Sequence, residues 1–203
     1  MTVLLSTAYL PPISYISEFL HVEQVLIERF ETYPKQTCRN RCSIYGPNGL
    51  QTLSIPVIKV NGNHTLTKDI RIATSTSWQQ LHLRSIETAY NNSPFFLYYK
   101  DEFEKVFEKQ FDFLLDLNTH LLEILLRILR IEKKIGFTDH FLKISEGTEY
   151  HRESSKKKKA TPSAAFPPYT QVFSPKHGFI ADLSIIDLIF NLGPESGDFL
   201  VSK

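Results

Sequence analysis

Short apolar runs and one segment of helical spacing alternate at the start of the chain. Residues 3–5 and 25–27 are continuous apolar runs that end at small or polar residues, so we predict two buried strands. Between them, apolar side chains recur at helical spacing over residues 13–20, which predicts a helix. A strand, a loop, a helix and a second strand in this order are typical of the opening of a parallel α/β sheet.

The next part of the chain has the pattern of a hairpin. Residues 41–45 and 51–57 have strand character, and Pro47-Asn48-Gly49 between them is typical of a turn. Residues 69–73 predict a further strand at an edge. We therefore expect antiparallel strands beside the parallel pair.

Three helical patterns follow the hairpin. The first begins at Ser77, which is followed three residues later by Gln80 in the spacing of a capping box. In the second, over residues 95–111, an aromatic side chain recurs every four residues, and we expect this stripe to pack in the core. The third covers residues 112–132, and residues 133–137 predict either a strand or a turn.

The last quarter of the chain changes character. Residues 146–168 are polar and contain four consecutive lysines, which predicts a flexible loop. Residues 169–173 predict a short strand, and Ser184 predicts the start of a last helix that ends at Gly193.

Length and composition indicate one folded unit. The 203 residues include 42% hydrophobic side chains, which is enough for one continuous core. We therefore predict a single domain over residues 1–203 with an α/β fold: a mixed, mainly parallel, Rossmann-like sheet with helices on its faces.

Charge and cysteine usage narrow the class of protein. The 23 basic and 22 acidic side chains nearly cancel, so no strong field favours a nucleic-acid partner. The most apolar long window, residues 111–131, contains several charged side chains, which argues against a membrane span. The N-terminus has no basic region of a signal peptide, and Cys38 and Cys42 match free thiols in a reducing compartment. We therefore predict a cytoplasmic protein without a metal site, and no cofactor is indicated.

A candidate ligand loop follows the first predicted strand. Tyr9-Leu10-Pro11-Pro12 and Tyr15 lie where open parallel sheets bind ligands, at the carboxyl end of a strand. The alternative is a rigid turn whose tyrosines only pack. No P-loop, GxGxxG, GxSxG or HExxH motif accompanies the loop, so the residues alone do not define a reaction.

A basic segment is the second candidate. Lys35 precedes Arg39-Asn40-Arg41, and two arginines at this spacing share a face if the chain is extended. Guanidinium groups on one face suit a phosphate or carboxylate, which they bind in bidentate fashion. The equal alternative is a solvated edge strand whose charges prevent aggregation.

Trp78 and His82 form the third candidate. Four residues apart, they project from one face of the predicted helix. His82 is either a general base or, more commonly for a lone histidine, a structural residue with a hydrogen bond in the core. By contrast, the spacing of Ser184 and Asp187 is explained by helix capping.

Several of these segments together resemble the WbqC-like family of bacterial proteins. That family opens with Q-P-x-Y-L-P-W-x-G-Y, which is similar to residues 6–15 here, although Ser6, Pro12 and Ser14 differ from the family residues. A K-x-x-W-R-N-R segment before P-N-G corresponds to residues 35–41 and 47–49. Further motifs resemble residues 78–82, 90–96, 169–171 and 183–193, in the same order along the chain.

The resemblance implies a role in surface-polysaccharide (O-antigen) biosynthesis. The resemblance also implies that the protein transfers an aminoacyl group, such as glycine, or an acyl group onto an amino sugar. On that basis we expect a small-molecule substrate, a nucleotide-linked amino sugar. Its diphosphate is expected to contact Arg39 and Arg41, Tyr9 and Asn40 to position it, and His82 to act as base. Glu28, at the end of the second predicted strand, is a second candidate catalytic group. The alternative is a module that binds a nucleotide sugar or a protein without catalysis.

Overall fold

A computed structural model describes residues 2–142 and 166–201 of the chain. Within these ranges the strands are β1 (Thr2–Ser6), β2 (Gln24–Glu28), β3 (Arg41–Gly46), β4 (Gly49–Ser54), β5 (Val57–Ile58), β6 (Arg71–Ile72) and β7 (Ile135–Phe137). The helices are α1 (Ile13–Ser17), α2 (Trp78–Tyr90), α3 (Phe96–Glu108), α4 (Leu114–Ile128), α5 (Ser174–His177), α6 (Ile185–Leu192) and α7 (Ser196–Val201).

The central sheet consists of three parallel strands in the order β1, β2, β7. Along β1 and β2, Thr2 lies opposite Gln24 and Ser6 lies opposite Glu28. Consecutive side chains on a strand point to opposite faces, and both Leu4 and Leu5 are fully buried, so both faces of β1 are covered. The predicted mixed α/β fold with a parallel opening is thus confirmed.

The wider Rossmann-like arrangement is not confirmed. Within residues 2–142 and 166–201 the sheet grows in one direction, from β1 through β2 to β7, and the strand order does not reverse. In doubly wound sheets that reversal creates the ligand crevice. The other strands form two separate antiparallel pairs, β3 with β4 and β5 with β6.

The predicted hairpin is formed by β3 and β4. Arg41 lies opposite Ser54, and the tight turn ends at Gly49, whose φ of 96° favours glycine. β4 ends at Ser54 instead of reaching residue 57, because Pro56 has no amide hydrogen to continue the ladder. β6 is shorter than the predicted strand over residues 69–73, because Thr67–Asp69 form a 3-10 turn.

The aromatic stripe packs in the core, as expected. The aromatic side chains of α3 that face inward are Phe96, Tyr99, Phe103 and Phe107. The rings of Phe96 and Phe103 meet Phe190 of α6 edge-to-face, with centroids 5.2 and 5.4 Å apart. α3 is therefore held to α6 by its aromatic face, and this face is not a contact surface for a partner.

The prediction of a strand over residues 169–173 is wrong. This segment has no strand pairing and leads through a turn into α5. Its alternating polar side chains, Tyr169 and Gln171, bond to the carboxylate of Asp187. The alternation of polar side chains in this segment therefore reflects their hydrogen bonds to Asp187 and not the edge of a sheet.

α2 and α6 begin after Ser77 and Ser184, as predicted, but the predicted side-chain caps are not formed. Neither Ser77 nor Ser184 makes a side-chain bond to its own helix. The Ser184 hydroxyl donates instead to the Leu10 carbonyl at 2.8 Å, and the Ile185 N–H donates to the Pro11 carbonyl at 2.8 Å. The start of α6 is thereby fixed to the loop that follows β1.

The lysine-rich stretch over residues 146–168 lies outside the described residues, apart from residues 166–168. Among the helices that the structure describes, even α4, with 15 residues, is too short to cross a bilayer.

Candidate functional site

Polar side chains collect where the three parallel strands end. Glu28 closes β2 and is fully buried. One of its oxygens accepts the N–H of Phe30 at 2.8 Å and the hydroxyl of Thr138 at 3.0 Å, and the other accepts the N–H of Leu142 at 3.0 Å. These bonds engage both carboxylate oxygens, so Glu28 ties the end of β2 to the segment after β7.

A buried ion pair lies beside the end of β1. Arg39 donates from Nε and Nη2 to one oxygen of Glu31, at 2.8 and 2.6 Å. It also donates to the hydroxyls of Ser6, at 2.5 Å, and Thr37, at 3.1 Å. Only 2% of Arg39 and 7% of Glu31 is exposed, so this guanidinium already has its counter-charge inside the protein.

Arg39 and Arg41 do not act as a pair on one extended face. Residues 38–40 form a turn, and β3 begins only at Arg41. Arg41 is half-buried and donates from Nε to the hydroxyl of Ser54 at 3.3 Å, while Lys35 is exposed. The basic segment therefore has an inward arginine and two cations that reach the surface.

Asn40 and Asn118 hold this segment against the rest of the fold. The amide nitrogen of Asn40 donates to the Ile55 carbonyl at 2.9 Å. That of Asn118, on α4, donates to the Thr7 hydroxyl at 3.1 Å and to the Arg39 carbonyl at 2.8 Å. The carbonyl oxygen of each asparagine is buried without a donor among the described residues, which leaves two acceptors for water or a ligand.

Tyr9 and His82 meet directly. The Tyr9 hydroxyl lies 2.7 Å from Nδ1 of His82, and the exposed fractions of the two residues are 0% and 1%. The imidazole packs edge-on against Trp78 and Phe107, with centroids 5.2 and 6.4 Å apart. The predicted Trp78–His82 face therefore exists, and it points into the core.

Burial keeps this pair neutral. Loss of solvation lowers the pKa of His82 to about 4, and a hydrogen bond with the main chain of Ser54 opposes the shift only in part. Burial also raises the pKa of Tyr9 well above its ordinary value. At pH 7 the contact thus joins a phenol and an uncharged imidazole.

The loop after β1 brings three of the predicted residues together. The Tyr9 N–H donates to the Cys38 carbonyl at 2.8 Å, which places the turn containing Arg39 against the same loop. Tyr15 donates its hydroxyl to the Ser6 carbonyl at 2.9 Å. Tyr9, Arg39 and His82 therefore surround the end of β1, whereas Arg41 and Lys35 lie outside this buried group.

A second polar cluster was not predicted. Asp187, on α6, is fully buried, and one of its oxygens accepts from Tyr169 at 2.5 Å and Gln171 at 3.0 Å. Its other oxygen has no hydrogen-bond partner among the described residues. Burial raises the pKa of Asp187, and the hydroxyl of Tyr90 interacts with the same carboxylate. Two features of the sequence pointed to this cluster. Tyr169 and Gln171 are spaced so that their side chains lie on one face of an extended segment, and Asp187 is the one acidic residue in the apolar helix α6.

Neither cluster has the composition of a metal centre. Across residues 2–142 and 166–201 no three His, Cys, Asp or Glu side chains are grouped to hold an ion. What the end of β1 offers is instead a neutral phenol–imidazole pair, a buried ion pair, and cations on the adjoining surface.

The chain belongs to the WbqC-like protein family, whose model matches residues 7–162. The predicted family resemblance is thereby confirmed, although its motifs over residues 169–193 lie beyond the match. An uncharacterized protein of Mycobacterium tuberculosis (strain ATCC 25618 / H37Rv), Rv1507c, is 25% identical over 220 residues, which cover 95% of this chain and 94% of that protein. No solved structure matches the chain.

Proposed function

We propose that the protein transfers an acyl or aminoacyl group onto the amine of a nucleotide-linked sugar in surface-polysaccharide (O-antigen) biosynthesis. Membership of the WbqC-like family supports the substrate class. The observation that carries the reaction class is the Tyr9–His82 contact of 2.7 Å at the end of β1. The imidazole is uncharged at pH 7, as a group must be to take the proton that the attacking amine loses.

The reaction has simple requirements. The sugar nitrogen forms a bond to the acyl carbon of an activated ester or thioester, and the bond from that carbon to the donor oxygen or sulfur breaks. The nitrogen loses one proton, which His82 accepts, and the leaving oxygen or sulfur then takes this proton up. In this proposal Tyr9 orients the imidazole, and the apolar wall of Trp78 and Phe107 keeps water from hydrolysing the donor.

Binding without catalysis is the second candidate, and one observation favours it. Tyr9 is 0% exposed and His82 is 1% exposed, so a substrate reaches them only if the residues that cover them move. A module that only binds a nucleotide sugar needs no such movement, because the cations Lys35 and Arg41 are already at or near the surface.

A transfer assay separates these two functions. The purified chain is mixed with UDP-glucosamine and with acetyl or glycyl thioesters, and the acylated sugar is measured by mass spectrometry. We expect product with the native chain, a large loss with His82→Gln, and no loss with His64→Gln, which alters an exposed histidine. Saturable binding of UDP-glucosamine without product would support the binding module. Neither binding nor product would contradict both functions.

A further inference from the structure

We propose that Lys35, Arg41 and Lys59, arranged around Tyr33, form an oxyanion site that takes the diphosphate of a nucleotide-linked ligand. The identity of that ligand rests on the proposed function, but the anion site itself does not. Neither Tyr33 nor Lys59 was singled out by sequence motifs.

The chain topology brings these residues to one place. The Ile55 N–H donates to the Asn40 carbonyl at 2.9 Å, which continues the pairing of Arg41 with Ser54 and brings the strand leading to Lys59 alongside. Lys59 then reaches back and donates from Nζ to the Tyr33 carbonyl at 3.1 Å. Two separate chain segments therefore contribute cations to one surface.

Lys59 lies across the ring of Tyr33. Its Nζ is 5.2 Å from the ring centroid, in a cation–π contact. The charge of Lys35 lowers the pKa of Lys59, in addition to the larger effect of burial, so the two ammonium groups repel each other. The charges of Arg39 and Arg41 likewise oppose the rise in the pKa of the Tyr33 phenol that burial causes. All four cations thus act on a single region.

The three cations of the proposed site, Lys35, Arg41 and Lys59, have no paired carboxylate among the described residues. The nearby acid Glu31 is already paired with Arg39. Because the whole chain has a net charge of only +1, an unpaired group of three cations is a local feature and not a consequence of composition.

Tyr33 provides the second, independent observation. Only 2% of the residue is exposed, and its hydroxyl has no hydrogen-bond partner among residues 2–142 and 166–201. A buried hydroxyl without a partner is costly, and it is satisfied when a ligand or water oxygen accepts its proton. Lys59 lies over the ring of the same tyrosine, and in this proposal its side chain shifts to let an anion reach the phenol.

The composition of the site selects its ligand. A phosphate offers three or more acceptor oxygens and negative charge, which match a guanidinium, two ammonium groups and a phenol O–H. A neutral sugar would leave the cations unpaired. Arg39, in contrast, is committed to Glu31 and Ser6, and we assign it a structural role beside the site.

Titration of the native chain with inorganic pyrophosphate, followed by calorimetry, tests the site. We expect saturable binding that weakens with salt, and a loss of about tenfold or more in affinity for Arg41→Gln and for Lys59→Gln. Tyr33→Phe removes only the hydroxyl, and we expect a loss of about fivefold. Lys68→Gln is the matched control, since that lysine is already paired with Asp69, and its affinity should stay within twofold of the native value.

The outcomes separate this site from the proposed transfer reaction. Pyrophosphate contains neither an amine nor an acyl group, so variant-sensitive binding supports the site whatever the transfer assay gives. If pyrophosphate does not bind, or if Lys68→Gln and Lys59→Gln lose the same affinity for it, the proposed site is wrong. Transfer activity that pyrophosphate does not inhibit would overturn it as well, while leaving the reaction in place. A thermal melt of each variant confirms that the fold is intact, and Lys59→Gln keeps the test decisive if Tyr33→Phe does not fold.

Discussion

Lowering the pH from 7 to 4 should destabilise the fold through His82. In the folded chain burial lowers the pKa of this histidine to about 4, whereas its ordinary value is 6.5. The unfolded chain therefore takes up a proton at a higher pH than the folded chain does. Between pH 6.5 and 4 the stability contributed by the neutral, buried imidazole is lost as the pH falls.

The size of the effect follows from the two pKa values. The difference between 6.5 and about 4 corresponds to about 3 kcal/mol of unfolding free energy when the pH change is complete. The unfolding free energy of an ordinary domain is roughly 5–15 kcal/mol, so this change is a large part of the total. Carboxylates titrate over the same range, so the histidine must be isolated by comparison with a variant.

Urea unfolding, repeated every half pH unit from pH 7.5 to 4, measures the unfolding free energy of the native chain and of His82→Gln. We expect the difference in unfolding free energy between the two proteins to shrink or reverse by about 3 kcal/mol as the pH falls. His64→Gln, which replaces an exposed histidine, is the control and should follow the native curve.

A constant difference between the native chain and His82→Gln across this range would refute the reasoning. It would mean that His82 is solvated or paired with an acid in solution. The neutral Tyr9–His82 contact, on which the proposed reaction depends, would then not exist at pH 7.

Three further predictions concern the buried polar groups and one tight turn. Glu31→Gln should cost about 3–5 kcal/mol in urea unfolding because it leaves the Arg39 charge buried and unpaired, and replacing both residues with apolar ones should cost less. Burial raises the pKa of Asp187, so the native protein loses unfolding free energy as the pH rises above 3.8, the ordinary pKa of the group. The loss of unfolding free energy caused by Asp187→Asn should therefore be smaller at pH 8 than at pH 4 in the same urea measurement. Gly193→Ala should lower stability by about 1–3 kcal/mol more than Gly178→Ala in thermal melts, because both have positive φ but only a Cβ at 193 meets an aromatic ring, at 2.5 Å.

Local patterns predicted the elements whose neighbours are close in sequence. The parallel pairing of β1 with β2 follows from two apolar runs separated by a short helix, and the hairpin from Pro47-Asn48-Gly49. The aromatic period of four placed one face of α3 in the core correctly. In each case one local pattern, either a spacing of apolar residues or a turn motif, is sufficient to predict the element.

Side-chain partners that are distant in sequence could not be predicted in this way. The spacing of Arg39 and Arg41 suggested a shared face, but the turn over residues 38–40 directs Arg39 to Glu31 and leaves Arg41 at the hairpin edge. Asp187 had the spacing of a capping residue, yet its partners lie 16 and 18 residues away. At Asp187, hydrogen bonds to a separate segment take the place of the predicted local capping.

Tyr33 and Lys59 show the same limitation at the proposed anion site. A tyrosine and a lysine 26 residues apart carry no joint motif, and only the chain path through Ile55 brings them into contact. An absent hydrogen bond, such as that of the Tyr33 hydroxyl, has no counterpart in a sequence pattern.

Backbone amide shifts of the labelled chain, recorded by NMR during titration with UDP-glucosamine, test most directly whether ligand binds beside the end of β1. We expect saturable changes concentrated in residues 33–41 and 54–59, with smaller ones at Tyr9 and His82. Changes confined to residues distant from these, for example around Asp187 and Tyr169, would contradict the placement of the site.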